Sequence, residues 1–283
     1  MNPPGMREGS ILCLDPHGFH RMRYVEWGEE SNPRVLVCVH GLTRNARDFD
    51  HIARSLSDAY RVVCPDVAGR GRSDWLRDKA DYNYPVYCQD MATLIAKLGA
   101  ETVDWLGTSM GGIIGMILAS AAGSPLRKLV LNDVGSHIPK AALERICKYV
   151  GQEPSFESLG ALEDEMRGVS PFGELSDEQW RHLAVHAAKQ EENGRWRYRY
   201  DPGIGDAFVK GPLADVDLRA YWNAVRGPVL VIRGEASDLL GAENLAEMAR
   251  RPHTETVVVP RTGHPPMLMD DAQVMAIRRF LLG

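Results

Sequence analysis

The pentapeptide Gly-Thr-Ser-Met-Gly at residues 107–111 constrains the possible folds of this chain more than any other stretch. It follows an apolar run at 102–106 and precedes a run of small, apolar residues at 112–122, so it is predicted to join a strand to a buried helix. The glycines on either side of Ser109 permit a tight turn where a Cβ would collide with the neighbouring strand and helix. Such a turn lifts the serine hydroxyl above the edge of the sheet. On its own, the pattern also suits a glycine-rich connection whose serine only caps the helix.

The rest of the chain alternates short, β-branched apolar runs with longer helical patterns. Near-continuous apolar strands separated by helices predict an α/β fold, in which a doubly wound, mostly parallel sheet is covered by helices on both faces. The predicted strands span 34–39, 61–67, 102–106, 128–134, 228–233 and 256–259, and the predicted helices span 48–56, 85–98, 112–122, 243–249 and 271–282.

This alternation is interrupted between residues 137 and 211, where the pattern is polar and helical. We predict that 137–211 is a helical cap, or lid, which lies across the carboxyl ends of the strands and is inserted into a core formed by 1–136 and 212–283. A plain helical extension at the side of the core is the alternative. The predicted cap helices span 140–150, 158–167 and 176–192, and six aromatic residues there either line a substrate pocket or pack the helices together: Phe172, Trp180, Trp196, Tyr198, Tyr200 and Phe208.

A serine hydroxyl is a weak nucleophile, so it needs a positioned base and a group that orients this base. His264 follows the last predicted strand in a loop of glycine and proline, at a strand end where ligand chemistry collects in open α/β sheets. Asp238 follows the preceding strand and completes the chain order Ser, Asp, His. It is the favoured acid, with Asp133 and Glu235 as rivals.

An oxyanion-stabilising site requires two backbone N–H groups directed at the developing negative charge. Met110, directly after the serine, is predicted to supply one of them. The loop after the first predicted strand supplies the other through Leu42, and Gly41 lets substrate approach the backbone there. Arg44 in the same loop either binds an acidic substrate group or, as the favoured alternative, forms a salt bridge with a neighbouring loop. His40 is interpreted as a structural histidine rather than the base.

Composition excludes several other classes of protein. The chain has 283 residues, 44% of them hydrophobic, and a net charge of −5, with no long basic block that would bind nucleic acid or an anionic membrane. Its five cysteines are widely spaced, and those at 38 and 64 are predicted to be buried, reduced thiols. Residues 1–10 are polar and lack a signal-peptide apolar region, and no stretch approaches the ~20 apolar residues of a membrane span. We therefore expect a cytoplasmic protein, whose oligomeric state stays open.

Taken together, these motifs resemble those of the α/β-hydrolase-fold serine hydrolases, in the branch of carboxylesterases and cofactor-free haloperoxidase-like esterases. The similarity extends from about residue 19 to 283, and the Gly-Arg-Gly-Arg-Ser turn at 69–73 is frequent in that branch. The resemblance implies Ser109 as nucleophile, His264 as base and Asp238 as acid. It also implies that Leu42 and Met110 are the oxyanion donors. The matching motifs are His40-Gly41, Asp66 with the 69–73 turn, Gly107-x-Ser109-x-Gly111, Gly234-x-x-x-Asp238 and Gly263-His264.

The predicted activity is hydrolysis of a carboxylic ester of a small, apolar molecule through an acyl-enzyme. Alternatives are hydrolysis of a carbon–carbon bond or an amide by the same triad, or a ligand-binding receptor with little turnover. No cofactor and no metal ion is expected. His182 and His186 have the i,i+4 spacing of zinc ligands, but the glutamate of a His-Glu-x-x-His motif is missing.

Overall fold

The computed structural model describes residues 5–209 and 212–283. Its strands are β1 Met6–Asp15, β2 Gly18–Trp27, β3 Val35–Val39, β4 Arg61–Pro65, β5 Val103–Thr108, β6 Leu126–Asn132, β7 His137–Ile138, β8 Ala188–Gln190, β9 Trp196–Tyr198, β10 Val216–Asp217, β11 Val229–Gly234 and β12 Thr254–Val259. Its α-helices are α1 Asp50–Leu56, α2 Tyr84–Leu98, α3 Met110–Ser120, α4 Lys140–Ile146, α5 Leu159–Val169, α6 Asp177–Ala187, α7 Asp206–Val209, α8 Arg219–Ala224, α9 Ala242–Met248 and α10 Asp271–Leu282.

Eight strands form one sheet in the order β1-β2-β4-β3-β5-β6-β11-β12. The strands from β4 to β12 in this order pair in parallel, whereas β1 pairs with β2, and β2 with β4, in antiparallel fashion. This confirms the predicted α/β fold with a mostly parallel sheet. In the register, Val39 lies opposite Gly107, and Asn132 lies opposite both Thr108 and Ile232. The carboxyl ends of β3, β5, β6 and β11 therefore meet at one edge of the sheet.

Alternate side chains of each central strand enter two separate hydrophobic cores, as the two-residue period of a strand requires. Val37 of β3 packs with Leu94 of α2 on one face. Its neighbour Leu36 packs with Ile52 of α1 and Phe280 of α10 on the other face. All five side chains of β3 are buried, which explains why the sequence shows this strand as an unbroken apolar run.

The N-terminal hairpin of β1 and β2 was not among the predicted strands. In β1, buried Ile11 and Cys13 alternate with exposed Leu12 and Leu14, and the four residues 7–10 before them contain no apolar side chain. This hairpin is one edge of the sheet and is half-exposed, so it lacks the continuous apolar pattern of the central strands. Of the segment 1–10 that is predicted to be polar, residues 1–4 lie outside the described residues.

The insertion between β6 and β11 contains α4 to α7, and it also contains strands. The helix predicted for 176–192 ends at Ala187, and β8 then pairs with β9 as a short hairpin. Where the insertion leaves and rejoins the core, Ile138 of β7 lies opposite Val216 of β10. The predicted division at 136/137 and 211/212 stays a prediction, and residue 211 lies outside the described residues. We use the term cap for 137–209, the described part of this segment.

Candidate active site

Ser109 lies between the end of β5 and the start of α3, with φ 51° and ψ −115°. A positive φ is costly for a residue with a Cβ, so the surrounding strands and helix must hold this conformation in place. The N–H of Ser109 donates a 2.9 Å hydrogen bond to the carbonyl of Asn132 at the end of the adjacent strand β6. The predicted strand–turn–helix context of this serine is therefore present.

The side chain of Ser109 belongs to a continuous hydrogen-bonded series. Its Oγ lies 3.0 Å from Nε2 of His264, and Nδ1 of the same imidazole lies 2.8 Å from Oδ2 of Asp133. His264 lies in the loop between β12 and α10, and Asp133 directly follows β6. The Asp133 side chain is fully buried, and its other oxygen accepts a 3.0 Å hydrogen bond from the N–H of Gly234. The carboxylate thus has a fixed orientation and holds the imidazole towards the serine.

The prediction that Asp238 contacts this imidazole is wrong. Asp238 lies four residues beyond the end of β11, and its carboxylate accepts hydrogen bonds from Nε and Nη2 of Arg145 in cap helix α4, the latter at 2.9 Å. Partial burial alone would raise the pKa of Asp238. The hydrogen bond and charge of Arg145, with smaller contributions from the charge of His264 and from a backbone hydrogen bond, outweigh it, so the pKa lies below its ordinary value. Asp238 therefore joins the cap to the core, and the rival residue Asp133 takes its place beside His264.

The other residues weighed for acid or base lie in structural contacts. Glu235 accepts a 2.9 Å hydrogen bond from the N–H of Arg261. His40 is fully buried, donates from Nδ1 to the carbonyl of Gly41 at 2.7 Å, and accepts at Nε2 from the N–H of Val67 at 3.0 Å. Burial lowers the pKa of His40 to about 3, so this imidazole is neutral. These contacts agree with its interpretation as a structural histidine.

Leu42 and Met110, the predicted oxyanion donors, lie on the loop after β3 and on the first turn of α3. Within residues 5–209 and 212–283, no protein acceptor takes a hydrogen bond from either N–H. Both residues contact Arg70, which the sequence reasoning did not single out. Its guanidinium donates to the carbonyl of Leu42 at 2.8 Å and approaches Sδ of Met110 at 3.6 Å. The Gly-Arg-Gly turn at 69–71 was the sequence feature that could have pointed to Arg70.

A cavity of about 290 Å³ opens onto Ser109 and His264. Gly41 and Arg44 line it, as expected for residues near the substrate. The Arg44 guanidinium forms a two-pronged ion pair with Asp48, at 2.7 Å for each hydrogen bond. Arg44 therefore forms a salt bridge, as favoured, but its partner lies four residues further on in the 3-10 helix Ala46–Phe49 and not in a neighbouring loop. Of the six aromatic residues considered, Phe172, Tyr198 and Tyr200 line the cavity, while Trp180, Trp196 and Phe208 pack in hydrophobic clusters.

His182 and His186, with Asp50, bring potential metal-binding atoms within 4.8 Å of one another. The surroundings of this group are positively charged, however. Arg47 forms an ion pair with Asp50, and His182 contacts the Arg47 carbonyl through Nε2 at 2.9 Å. Burial, followed by the charge of Arg47, lowers the pKa of His186 to about 3. The positive charge of Arg47 disfavours protonation of the His186 imidazole. The same charge disfavours binding of a metal cation at this group.

The fold and the elbow at Ser109 define the class of protein. A family model described as alpha/beta hydrolase fold matches residues 34–271 of the chain. The chain therefore belongs to the α/β-hydrolase family, and it is a hydrolase. Among the described residues, no helix is long and apolar enough to cross a membrane.

Two relatives and one solved structure show which hydrolases the chain resembles. The chain is 48% identical to a 3-hydroxybutyrate-oligomer hydrolase from Cupriavidus necator, over 98% of both chains. It is 30% identical to an N-formylmaleamate deformylase from Pseudomonas putida, over 86% of both chains. Among solved structures, an α/β hydrolase from Novosphingobium aromaticivorans has a TM-score of 0.89 at 36% identity, covering 99% of both chains.

Proposed function

We propose that this protein hydrolyses carboxylic esters through a catalytic triad of Ser109, His264 and Asp133. The observation that carries the proposal is the series of hydrogen bonds of 3.0 and 2.8 Å that joins the serine, the imidazole and the buried carboxylate. Since Nε2 must accept the serine proton, Nδ1 carries the hydrogen and donates to Asp133. The aspartate stays ionised and stabilises the imidazolium that forms during the reaction.

The reaction proceeds in two halves. Oγ of Ser109 attacks the ester carbonyl while His264 takes its proton, and the resulting tetrahedral intermediate expels the alcohol, which receives that proton from His264. Water then gives a proton to His264 and attacks the acyl-enzyme, and the carboxylic acid leaves as Oγ recovers its proton. The N–H groups of Leu42 and Met110, which lack protein acceptors in the described part of the chain, would stabilise the oxyanion in both halves.

For the substrate, we propose short linear oligoesters of a hydroxy acid, as the name of the 48% identical relative suggests for that protein. The cavity volume of about 290 Å³ suits a short chain rather than a polymer. Phe172 and Met166 offer apolar surface to methyl and methylene groups, and Tyr200 adds an aromatic ring that carries a hydroxyl group. A cytoplasmic location of such an enzyme stays a prediction.

The test is turnover of p-nitrophenyl butyrate and of the linear 3-hydroxybutyrate dimer by the wild type, Ser109→Ala and Ser120→Ala. Ser120 is the matched control, because it ends the helix that Ser109 precedes and its hydroxyl only donates to the carbonyl of Ile117. We expect Ser109→Ala to lose activity by about 10³-fold or more while its circular dichroism is unchanged, and Ser120→Ala to keep it. Wild-type rates in Ser109→Ala would contradict the proposal.

A second candidate is amide hydrolysis by the same triad, which the similarity to the deformylase supports. The two candidates differ in the leaving group, because an amine must be protonated by His264 before it leaves, whereas an alcohol is the better leaving group. An N-formyl amide and a matched formate ester distinguish them when kcat/KM is compared. Both candidates predict rapid labelling of Ser109 by a fluorophosphonate, because both need an activated serine.

A further inference from the structure

Three cationic side chains line the cavity beside Ser109: Arg44, Arg145 and Lys148. We propose that Lys148 forms a carboxylate-binding subsite, which holds the free acid end of a hydroxy-acid oligoester. The inference rests on the proposed function. It follows from which of the three cations already form ion pairs with acidic side chains.

Two of the three cations are already neutralised by aspartates. Arg44 is paired with Asp48 through two hydrogen bonds of 2.7 Å. Arg145 is paired with Asp238, also through two hydrogen bonds, across the junction of cap and core. A substrate carboxylate that approached either guanidinium would have to displace a positioned aspartate, so neither arginine is available as an anion site.

Lys148 differs from these arginines, because its ammonium group forms no ion pair with any acidic side chain in residues 5–209 and 212–283. It lies just after α4, where the N–H of Lys148 donates to the carbonyl of Arg145 at 3.1 Å, which continues the helical turn. Arg145, Lys148 and Tyr149 therefore follow the i, i+3, i+4 spacing of one helical face, and all three line the cavity. The side chain of Lys148 is exposed at the cavity wall, so a ligand reaches it without rearrangement of the cap.

The cavity also contains one carboxylate, Glu165, which accepts a hydrogen bond from the phenol of Tyr198. Glu165 and Lys148 do not form an ion pair with each other within the described residues. A carboxylate at Glu165 disfavours a second anion beside it, whereas the ammonium group of Lys148 attracts one. This favours a single orientation, with the substrate carboxylate at Lys148.

A linear hydroxy-acid oligoester carries one free carboxylate, which belongs to the alcohol half of its terminal ester. If Lys148 binds this group, the terminal ester is the bond presented to Ser109, and the leaving alcohol is a hydroxy acid. The carboxylate is not altered by the reaction, so its contact is equal in ground state and transition state and changes KM rather than kcat. An exposed ion pair is weak, and about two- to fivefold in KM is the expected size.

The test compares the linear 3-hydroxybutyrate dimer as the free acid with the same dimer capped as its primary amide, which has the same shape but no charge. Both are assayed by release of 3-hydroxybutyrate with the wild type, Lys148→Ala, Lys148→Arg and Lys140→Ala. Lys140 is the matched control, since it is an exposed lysine at the start of α4, is paired with Glu144 and does not line the cavity. We expect Lys148→Ala to raise KM for the free acid about two- to fivefold, with kcat and the amide KM unchanged.

Lys148→Arg and Lys140→Ala are expected to retain the low KM for the free acid, and 0.5 M salt is expected to raise that KM in the wild type by screening the pair. Equal KM values for acid and amide in the wild type, or an equal rise for both in Lys148→Ala, would overturn the subsite while the hydrolase function stands. Absence of wild-type turnover on both dimers would instead overturn the proposed substrate, and the subsite with it.

Discussion

At the scale of single residues, Arg70 connects the two segments that carry the proposed oxyanion donors. Its guanidinium is fully buried and donates to the carbonyls of Leu42 and Ala68 and to the hydroxyl of Tyr87, each at 2.8 Å. Within residues 5–209 and 212–283 it forms no ion pair with a carboxylate. The planar fork of donors, rather than charge pairing, therefore fixes the loop after β3 relative to the turn that contains Arg70.

Replacing Arg70 by lysine keeps the charge but removes the forked hydrogen bonds, so we expect the Leu42 amide to lose its alignment. Loss of one oxyanion donor typically costs about 10²–10³-fold in kcat, and misalignment is expected to cost about 10–100-fold with KM within about twofold. Steady-state kinetics below the melting temperature measure the changes in kcat and in KM separately. Arg199→Lys is the control, because the Arg199 guanidinium also donates to a carbonyl, that of Ala188 in the cap. An unchanged kcat in folded Arg70→Lys would show that Arg70 does not position the site.

At the scale of secondary-structure elements, the site depends on how closely α3 packs against β3. A Cβ on Gly111 would lie 2.0 Å from the carbonyl oxygen of Val39, a backbone atom at the end of β3. Neither the strand nor the helix can move away without disturbing Ser109 on one side or the loop of Leu42 on the other. The second glycine of the pentapeptide is therefore a packing requirement of the fold as well as a feature of the turn.

We expect Gly111→Ala to destabilise the protein by about 1–3 kcal/mol, the usual cost of overpacking, and to lower kcat. Gly168 offers the opposite case, because it lies in α5 and an added Cβ would meet no atom within 4 Å. Gly168→Ala should stabilise the protein by about 0.5–1 kcal/mol, since alanine loses less backbone entropy in a helix. Urea unfolding measures both changes. Equal stability of the two variants would contradict the close packing of α3.

Whether a strand or helix could be predicted from the sequence depends on its place in the fold. Strands β3 to β6 and β11 were recognisable, because central parallel strands are largely buried and read as apolar runs. Strand β12 is the other edge of the sheet and is mostly exposed, but its run of three valines at 257–259 made it recognisable as well. The half-exposed hairpin of β1 and β2 lacks that pattern. In the cap, no glycine or proline stops the helical pattern of α6 before Gly194, yet the helix ends at Ala187 because the next residues pair with β9. That pairing is a tertiary contact, which local propensity does not encode.

At the scale of the whole molecule, the cap and core meet around the site through several specific contacts. The N–H of Gly263, next to His264, donates to the carbonyl of Pro171 in the cap at 2.7 Å. Asn45, in the loop after β3, donates to the carbonyl of His186 at 3.2 Å. Together with the pair of Arg145 and Asp238, these contacts hold the cap against the core. Residues more than 90 positions apart in the sequence therefore determine which side chains face the substrate.

The same long-range organisation explains why Ser109 and His264 could be singled out from the sequence, whereas the contact of His264 with Asp133 rather than Asp238 could not. Ser109 and His264 occur in local motifs, whereas Asp133 and Asp238 both follow strands and both satisfy the chain order Ser, Asp, His. The difference between them is set by contacts with one cap residue and one core residue that are distant in sequence. Arg145 forms an ion pair with the carboxylate of Asp238, whereas the N–H of Gly234 donates a hydrogen bond to the carboxylate of Asp133 and orients it. Neither contact can be read from local spacing.

The central claim is that Asp133, and not Asp238, orients the catalytic imidazole. The direct measurement is kcat for p-nitrophenyl butyrate in Asp133→Asn and Asp238→Asn, each checked for folding by circular dichroism. Asparagine at 133 favours the wrong tautomer of His264, so we expect a fall of about 10⁴-fold. Asparagine at 238 only weakens the ion pair with Arg145, so kcat should stay within about tenfold. A collapse of activity in Asp238→Asn, with Asp133→Asn near the wild-type rate, would contradict the account.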